Sequence, residues 1–316
     1  MGGESCYQVK ILSKQLNKRN FSTLLAKHPK LNPWFVTGFA DGEGSFGITI
    51  YKDNRIKGKL VLAVKPSFQI SLNSKDINLL LQLKEFFGCG INVNTRNEAS
   101  FRVNSIQDLT NCIIPHFSNY PLLSPADFIL FTRIVKLINN KMHLTEEGLL
   151  QIMNLRASIN LGLSNLQKSK FPNYKSVARP VINSTKIPQP NWIAGTAEGC
   201  FFLSIFKSNR TKIGYIIQLM FKLTQNKRDK ELLDLVAKFV NCGAVYSHGE
   251  NAFDFIVSKF ADNLNIIIPL FKTYPKQLEY QDFCKVAAFL YKGKHLTDEG
   301  LASILLIKDR MNTKRK

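Results

Sequence analysis

A strand with one apolar face is predicted immediately after residue 44. Apolar side chains occupy every second position at Phe46, Ile48 and Ile50. This period of two is typical of a half-buried strand, because successive side chains of a strand point to opposite faces. A turn at about 53–58 follows, and the returning strand is predicted over about 59–72. Pro66 lies within that strand, and proline there indicates a bulge or an edge position.

Helices are predicted around these strands from apolar spacing and from helix-start residues. They cover about 33–42, 75–87, 106–119, 125–139 and 146–160, and a second hairpin turns at about 96–99. Ser124-Pro125 and Thr145 are suitable helix starts. Paired strands alternating with helices favour an α+β fold with an antiparallel sheet and helices on one face. The other sheet face is left free, and two such faces side by side would form a long saddle.

The whole pattern occurs twice. Several short segments return in the same order, at a nearly constant offset of about 154 residues. They are 113–117 with 267–271, 143–148 with 295–300, Cys89-Gly90 with Cys242-Gly243, and Phe68 with Phe221. An internal repeat of this length indicates two similar halves rather than one continuous domain.

The predicted domains are two halves, at 31–160 and 191–316, joined by a linker at 161–190. The linker contains Pro172, Pro180, Pro188 and Pro190, which exclude a continuous helix. Residues 1–30 form a basic leader whose one acid is Glu4. This composition is typical of a transit sequence, and a disordered or artificial leader fits it equally well.

The charge of the chain favours a polyanionic partner. Lys and Arg total 43 against 23 Asp and Glu, a net charge of +20, and such a field attracts nucleic-acid phosphates. A basic soluble protein, such as an organellar ribosomal one, is the alternative on charge alone. The six cysteines lack CxxC spacing, which argues against a zinc site or a disulfide framework. No apolar run approaches the roughly 20 residues needed to span a bilayer.

The segment from Trp34 to Phe46 resembles the signature of the LAGLIDADG homing endonucleases, with Val36–Gly44 as its nine-residue core. Gly38 and Gly42 lie on one helix face, where they allow a close backbone approach. Glu43 lies where the helix gives way to the first strand. One carboxylate from each half at a common centre fits metal-assisted phosphodiester hydrolysis. The alternative is that both glycines serve packing and Glu43 merely ends the helix.

A second copy of the motif spans 192–202, but it is shorter. Gly195 and Glu198 are three positions apart, whereas Gly38 and Glu43 are five apart. Counting back from Glu198 places Ala197 opposite Gly42 and Ile193 opposite Gly38. A bulky residue at a close crossing is expected to disturb the helix packing and to impair cleavage.

The resemblance implies a monomer of two pseudo-symmetric αββαββα halves, with the motif helices paired at the interface between them. It implies Mg²⁺-dependent double-strand cleavage of DNA that leaves 3′ overhangs. Two or three divalent ions would lie at the helix interface, where Ca²⁺ or Mn²⁺ would substitute for Mg²⁺. Many relatives are encoded in introns of fungal mitochondrial genes, so a mitochondrial location and host intron RNA as a second partner are implied as well. No membrane partner is expected.

Carried over residue by residue, Glu43 and Glu198 match the metal-binding acids of the family. The backbone carbonyls of Gly42 and Ala197 would assist them. Lys259 would stabilise the developing phosphorane charge, and a solvated surface lysine is the alternative. Gln225 would orient a water molecule near the ions, or it would cap the helix that begins near Asp229.

The free sheet faces are predicted to read base edges in the major groove. In the N-terminal half the predicted DNA-binding residues are Ser45, Gly47, Thr49, Tyr51, Lys65, Ser67, Gln69, Ser71, Arg102 and Asn104. In the C-terminal half they are Cys200, Phe202, Ser204, Phe206, Gln218, Met220, Lys222, Thr224, Asp254 and Ser258. An ordinary solvated face is the alternative, but it would expose large apolar side chains without purpose. Those side chains suit thymine methyl groups.

Two other functions remain open from the sequence. One is a nucleic-acid-binding relative without nuclease activity, such as an intron RNA maturase, which the shortened second motif supports. The other is a structural basic protein of an organellar ribosome, which explains the charge but not the paired acidic motifs. The recurring His143 and His295 have no second metal ligand at helical spacing, so they are interpreted as structural residues at helix starts.

Overall fold

The computed structural model describes residues 30–52, 62–181, 186–196, 200–211, 213–272 and 278–311. The described residues from Leu31 onward belong to one compact unit. The predicted leader, apart from Lys30, and the predicted turn at 53–58 lie outside the described residues. So do the first positions of the predicted returning strand.

Helices and strands of the first half follow the predicted order. They are α1 (Pro33–Glu43), β1 (Gly44–Lys52), β2 (Leu62–Asn73), α2 (Ile77–Phe87), β3 (Ile91–Asn94), β4 (Glu98–Val103), α3 (Ile106–Asp108), α4 (Ile114–Asn119), α5 (Ala126–Asn139) and α6 (Glu146–Arg156). The short helix α7 (Asn165–Lys170) follows, within the stretch predicted as a linker.

The second half repeats this order. Its elements are α8 (Pro190–Thr196), β5 (Phe201–Lys207), β6 (Tyr215–Asn226), α9 (Lys230–Val240), β7 (Ala244–His248), β8 (Ala252–Val257), α10 (Phe260–Asp262), α11 (Ile268–Phe271), α12 (Leu278–Tyr291) and α13 (Asp298–Arg310). The two antiparallel sheets have matching strand orders, β1-β2-β4-β3 and β5-β6-β8-β7. The α+β fold with two pseudo-symmetric halves is confirmed.

Each half is built around one aromatic residue at the start of its first strand. The ring of Phe46 packs against four others, including Phe68 at 5.0 Å and Phe117 at 5.7 Å between centroids. In the second half, Phe201 packs against four rings in the same arrangement, including Phe221 at 5.5 Å. Burial of such large rings dominates the stabilisation of a core. Phe46 and Phe201 are therefore equivalent positions of the two strands.

The repeated Ile-Ile-Pro sequence produces the same irregularity in both halves. A π-helical turn at Leu109–Ile113 leads into α4, and one at Asn263–Ile267 leads into α11. Pro115 and Pro269 stand at the start of these helices. Because proline has no backbone N–H, the regular i→i−4 ladder is interrupted there, which accounts for the wider turn.

The repeated threonines begin helices as predicted. The Thr145 side chain accepts a hydrogen bond from the Gly148 N–H, and Thr297 accepts one from Gly300. The helix start predicted at Ser124-Pro125 is confirmed, although Ser124 does not cap the helix. Helix α5 begins at Ala126 after Pro125 without a side-chain cap, because the Ser124 hydroxyl instead donates to the Asp229 carboxylate at 3.1 Å.

One edge strand of each sheet, β1 or β5, is hydrogen-bonded by long side chains from α6 and the residues after it, or from α13. Arg156 donates to the Ile48 carbonyl and Asn160 to the Phe46 carbonyl, each at 3.0 Å. In the second half Lys308 donates to the Leu203 carbonyl. Satisfying these carbonyls blocks further strand pairing at β1 and β5.

Pro66 lies where β2 pairs with β1 alone, since pairing with β4 begins only at Phe68. The predicted edge position is therefore confirmed. No helix among the described residues is both long and apolar enough to cross a bilayer.

Candidate active site and nucleic-acid interface

Helices α1 and α8 cross at glycines in direct backbone contact. A Cβ atom at Gly38 would lie 1.9 Å from the Trp192 carbonyl oxygen, and one at Gly195 would lie 2.0 Å from the Phe35 carbonyl oxygen. Real side chains do not tolerate such distances, so any other residue would force the backbones apart. The crossing joins the two halves and fixes the ends of both motif helices.

This contact corrects the predicted alignment of the second motif. Gly195, not Ile193, is the counterpart of Gly38, because each glycine meets the carbonyl of the residue three positions before the other. Ile193 is instead fully buried in the core. Close helix packing is retained, and the expectation that a bulky residue disturbs it was wrong.

The two missing residues lie beyond the crossing. Thr196 is equivalent to Phe39 in the helices, and Phe201 is equivalent to Phe46 in the strands. Four residues lie between Thr196 and Phe201, whereas six lie between Phe39 and Phe46. The shortening therefore falls at 197–200, where α8 gives way to β5.

The position of the second acid depends on which alignment continues through this junction. Counted along the helix, Glu198 corresponds to Asp41. Counted back from the strand, it corresponds to Glu43. Ala197, Glu198 and Gly199 lie outside the described residues, so the metal-binding roles of Glu198 and of the Ala197 carbonyl stay predictions.

Asp41 ties the two halves together. Its carboxylate accepts hydrogen bonds from the Trp192 indole N–H at 2.7 Å and from the backbone N–H groups of Leu123 at 2.9 Å and Ser124 at 3.1 Å. Burial raises the pKa of Asp41 to about 6, although these three donors partly counteract that rise. Two residues along a helix span roughly 200°, so Asp41 faces inward while Glu43 faces outward.

Ser124, whose backbone N–H binds Asp41, also contacts the second half through its side chain. Its hydroxyl donates to Asp229, and the neighbouring Arg228 guanidinium lies 3.9 Å from the Asp127 carboxylate. Arg179 also contacts Asp127, at 2.5 Å. These contacts connect the start of α5 with the start of α9, and sequence reasoning missed them because the partners are about 100 residues apart.

Glu43, predicted as a metal ligand, lies at the end of α1 in a desolvated position. Its side chain is exposed at the C-terminal end of α1, yet surrounding protein desolvates the carboxylate and raises its pKa to about 7. A carboxylate held in this way is stabilised by a nearby positive charge, and carboxylate oxygens are the ligands that Mg²⁺ prefers. The described residues contain no group of three His, Cys, Asp or Glu side chains that could hold a metal. The metal-binding role of Glu43 therefore stays a prediction.

The predicted polar residues of the N-terminal half share one sheet face. In the strand register Ser45 faces Gln69, Gly47 faces Ser67, and Thr49 faces Lys65. Arg102 pairs with Gln69 from the other side. Phe46 and Ile48, which alternate with them, are buried in the core. Most side chains on this face are small, polar or basic, but Ile91 of β3 pairs with Arg102 on the same face and is 53% exposed.

In the C-terminal half, the equivalent face is more apolar. Phe202 faces Met220, Ser204 faces Gln218, and Phe206 faces an isoleucine that the sequence reasoning missed, Ile216. Phe206 is 53% exposed and Ile216 is 42% exposed. Tyr246 and His248 of β7 lie on the same face and were missed as well.

Asp254 lies among hydrogen-bond donors on this face. It accepts hydrogen bonds from Thr224 at 2.6 Å, His248 at 2.7 Å and Lys222 at 3.3 Å. Burial raises the pKa of Asp254, but these three partners outweigh burial and hold it below its ordinary value. Asp254 is only 5% exposed. The Lys222 ammonium also lies 5.6 Å from the centre of the Phe202 ring.

Several predicted site residues lie elsewhere than expected. Cys200 is buried in the core and precedes β5, so its placement on the open face was wrong. Gln225 lies on the core-facing side of β6, opposite Phe253, and the cap of the following turn is provided by Asn226 instead.

The remaining predicted residues lie at strand ends or in turns. Asn104 and Ser258 follow β4 and β8. Lys259 is 74% exposed and lies 3.8 Å from Asp262, so its catalytic role stays a prediction. The ring Nδ1 atoms of His143 and His295 are buried without a hydrogen-bond partner in matching turns.

Sequence comparisons identify relatives along the whole described region. A family model described as LAGLIDADG endonuclease matches residues 36–135 and 196–287. Probable intron-encoded endonuclease 3 of Neurospora crassa is 41% identical, over 95% of this chain and 58% of that protein. Probable intron-encoded endonuclease 2 of the same fungus is 37% identical, over 94% and 70%. This chain thus spans little more than half the length of the first relative.

Solved structures share the fold. The I-SmaMI LAGLIDADG homing endonuclease bound to cleaved DNA is 36% identical, with a TM-score of 0.85 over 91% of this chain and 99% of that chain. The I-LtrWI homing endonuclease bound to target DNA is 40% identical, with a TM-score of 0.82 over 90% and 98%. With both motif regions matched and the fold shared almost end to end, the chain belongs to the LAGLIDADG endonuclease family.

Proposed function

We propose that the chain is a site-specific DNA endonuclease that acts as a monomer on one long duplex. The observation that carries this proposal is the arrangement of two open sheet faces around a glycine crossing whose end bears Glu43. I-SmaMI and I-LtrWI, which share this fold, have been solved with DNA. Each sheet would lie along the major groove of one half of the target, and the net charge of +20 would neutralise phosphates.

Hydrolysis of the phosphodiester would take place at the C-terminal ends of the two motif helices. Glu43 and Glu198 would hold Mg²⁺ together with the Gly42 and Ala197 carbonyls, and a calcium-bound I-SmaMI complex with uncleaved DNA supports a divalent-ion site in this fold. A bound Mg²⁺ activates water and stabilises the leaving oxygen. Exposed Lys259 would offset phosphate charge. The predicted product is a double-strand break with 3′ overhangs, and Ca²⁺ or Mn²⁺ would occupy the same ligands.

Removing the Glu43 charge tests the active site. Glu43→Gln keeps the size of the side chain but removes its negative charge, so double-strand cleavage in Mg²⁺ should be lost while DNA binding persists. The measurements are cleavage of a selected target on gels and binding in Ca²⁺. Glu85→Gln, at an exposed position of α2, is the control and should cleave normally. Full cleavage by Glu43→Gln would overturn the assignment.

A cleavage-impaired relative that binds host intron RNA is the second candidate. The shortened junction at 197–200 favours it, because an acid displaced by about 1 Å can lower a rate about a hundredfold. Tight binding of intron RNA with no DNA cleavage would establish this function instead. A mitochondrial location is proposed on the same family grounds, supported by a 44% identical segment of a Podospora anserina protein in ND4 intron 1.

A further inference from the structure

The two open sheet faces differ at equivalent cross-strand pairs. In the first half Gly47 faces Ser67, and in the second half the corresponding pair is Phe202 and Met220. These pairs are equivalent because they lie next to the matching core pairs, Phe46 with Phe68 and Phe201 with Phe221. The same position is therefore small and polar in one sheet but large and apolar in the other.

The difference extends along the strands. Tyr51 faces Ala63 in the first half, whereas the equivalent pair in the second half is Phe206 and Ile216. Across the next strand, Arg102 of the first half corresponds to the apolar Ile256 of the second half, which pairs with Lys222. The intervening pair is polar in both halves, as Thr49 with Lys65 and as Ser204 with Gln218. On the neighbouring outer strand the change is reversed, since Ile91 of the first half corresponds to Ala244, so the apolar gain of the second half is confined to β5, β6 and β8.

These side chains are not placed there for packing. Phe206 is 53% exposed and Ile216 is 42% exposed, on the face opposite to the helices. Exposed apolar pairs of this size have a cost in water unless a partner covers them. In the major groove, the apolar group that a base presents is the C5 methyl of thymine.

We propose that the DNA half-site under the C-terminal sheet is rich in thymine, which Phe202, Met220, Phe206 and Ile216 recognise through its C5 methyl groups. The half-site under the N-terminal sheet is read through polar base edges. This inference rests on the proposed binding of DNA by the sheet faces and adds the chemistry of one half of the target.

The charges around the apolar pairs suit this occupant. The Asp254 carboxylate is already engaged by Lys222, Thr224 and His248, so it presents little free negative charge to DNA. Lys222 lies over the Phe202 ring and supplies a positive charge beside the apolar stripe. A duplex with methyl groups in the groove and phosphates along its rim matches both features.

Replacing thymine by deoxyuridine tests the proposal, because this change removes the methyl group and keeps the base pair. Target duplexes are first selected from a randomised library in Ca²⁺. Deoxyuridine is then placed throughout one half-site or the other, and dissociation constants are measured. In the C-terminal half-site, affinity should fall about fourfold for each contacted methyl group, from the free energy of burying one such group. In the N-terminal half-site, where Ile91 is the exposed aliphatic side chain on the face, affinity should fall less.

Matched variants assign each half-site to a sheet and test the side chains. Phe206→Ser should alter the selected sequence in one half-site and reduce its sensitivity to deoxyuridine. Tyr51→Ser, at the equivalent position, should alter the other half-site and leave that sensitivity intact. Both side chains are exposed, 53% and 44%, and melting temperatures check the fold. If one variant fails to fold, the other still assigns both half-sites.

The outcomes separate this inference from the proposed function. Selection of no preferred duplex would overturn DNA recognition by the sheets altogether. A preferred duplex that is bound equally well with deoxyuridine in either half-site would leave the endonuclease intact and overturn the thymine inference. Greater sensitivity in the half-site assigned to Tyr51 would overturn it as well.

Discussion

At the scale of single residues, the two acids of α1, Glu43 and Asp41, differ in their surroundings and in what their titration is expected to change. Glu43 is exposed, and desolvation raises its pKa to about 7, so below that pH a proton competes with a divalent ion for the carboxylate. The apparent Mg²⁺ affinity should therefore increase as pH rises from about 6 to 8. Cleavage measured over a range of Mg²⁺ concentrations at each pH checks this. An apparent affinity that stays constant over this range would contradict the assignment of Glu43 as a ligand.

The raised pKa of Asp41 affects the free energy of unfolding. Because burial raises its pKa to about 6, the neutral form is favoured on folding, and its contribution to stability is lost as pH rises through about 6. The Trp192 indole N–H limits that loss by donating to the charged form. Trp192→Phe should therefore lower the free energy of unfolding by about 1.5–3 kcal/mol at pH 8 and by less at pH 5.

Denaturant unfolding at both pH values measures this effect. Trp34→Phe is the control, since the Trp34 ring packs edge-on against Tyr120 at 5.4 Å rather than against Asp41. A deficit of equal size at both pH values would show that Trp192 acts through packing and not through its hydrogen bond.

The sequence predicts such roles only where they follow from local position. Glu43 was identified because it ends a recognisable motif, and the open-face residues because strands alternate. The partners of Asp41 come from other parts of the chain, so no local pattern indicates them. Cys200 was misplaced because the alternation was extended one residue beyond the start of β5.

At the scale of elements, the helix crossing depends on its glycines. Gly195→Ala would place a methyl group 2.0 Å from the Phe35 carbonyl oxygen, and backbone atoms cannot move aside cheaply. The free energy of unfolding should fall by about 3 kcal/mol. Gly47→Ala is the control, because its Cβ would lie 3.0 Å from the Ser67 hydroxyl, a side chain that can rotate. Equal melting temperatures for both variants would contradict the crossing.

The shortened motif gives a second prediction at this scale. Inserting two residues between Gly195 and Thr196 would displace Thr196, whose carbonyl lies against Gly42 and whose hydroxyl donates to the Trp192 carbonyl. This insertion should lower both the melting temperature and the cleavage rate. The same insertion directly after Thr196 leaves the crossing unchanged and should preserve the melting temperature. Equal loss of stability by both insertions would place the defect elsewhere.

Sequence alone could not locate the missing residues. Alternation fixes the alignment of the strands, and the glycines fix the alignment of the helices, but a single sequence does not show which alignment holds between them. The pairing of Gly38 with the Trp192 carbonyl decides this for the helices. The order of helices and strands was predictable because each element carries its own period.

At the scale of the whole molecule, the net charge of +20 predicts salt-dependent binding. Each neutralised phosphate should contribute about −0.9 to the slope of log affinity against log salt concentration. Affinities measured between low and physiological salt check this, with specific and unrelated duplexes compared. Affinity for a long duplex that does not depend on salt would contradict phosphate contact.

The glycine crossing also bears on whether halves of different family members can be exchanged. Because Gly38 and Gly195 contact main-chain atoms that every protein possesses, these two close contacts do not depend on which side chains the other half carries. Halves from different family members can therefore be recombined at the joint, provided that both keep the glycine. The hydrogen bond between Asp41 and Trp192 needs both side chains, so a foreign C-terminal half without the indole should assemble and cleave, but melt earlier. Each sheet would then bring its own half-site specificity into the recombined protein.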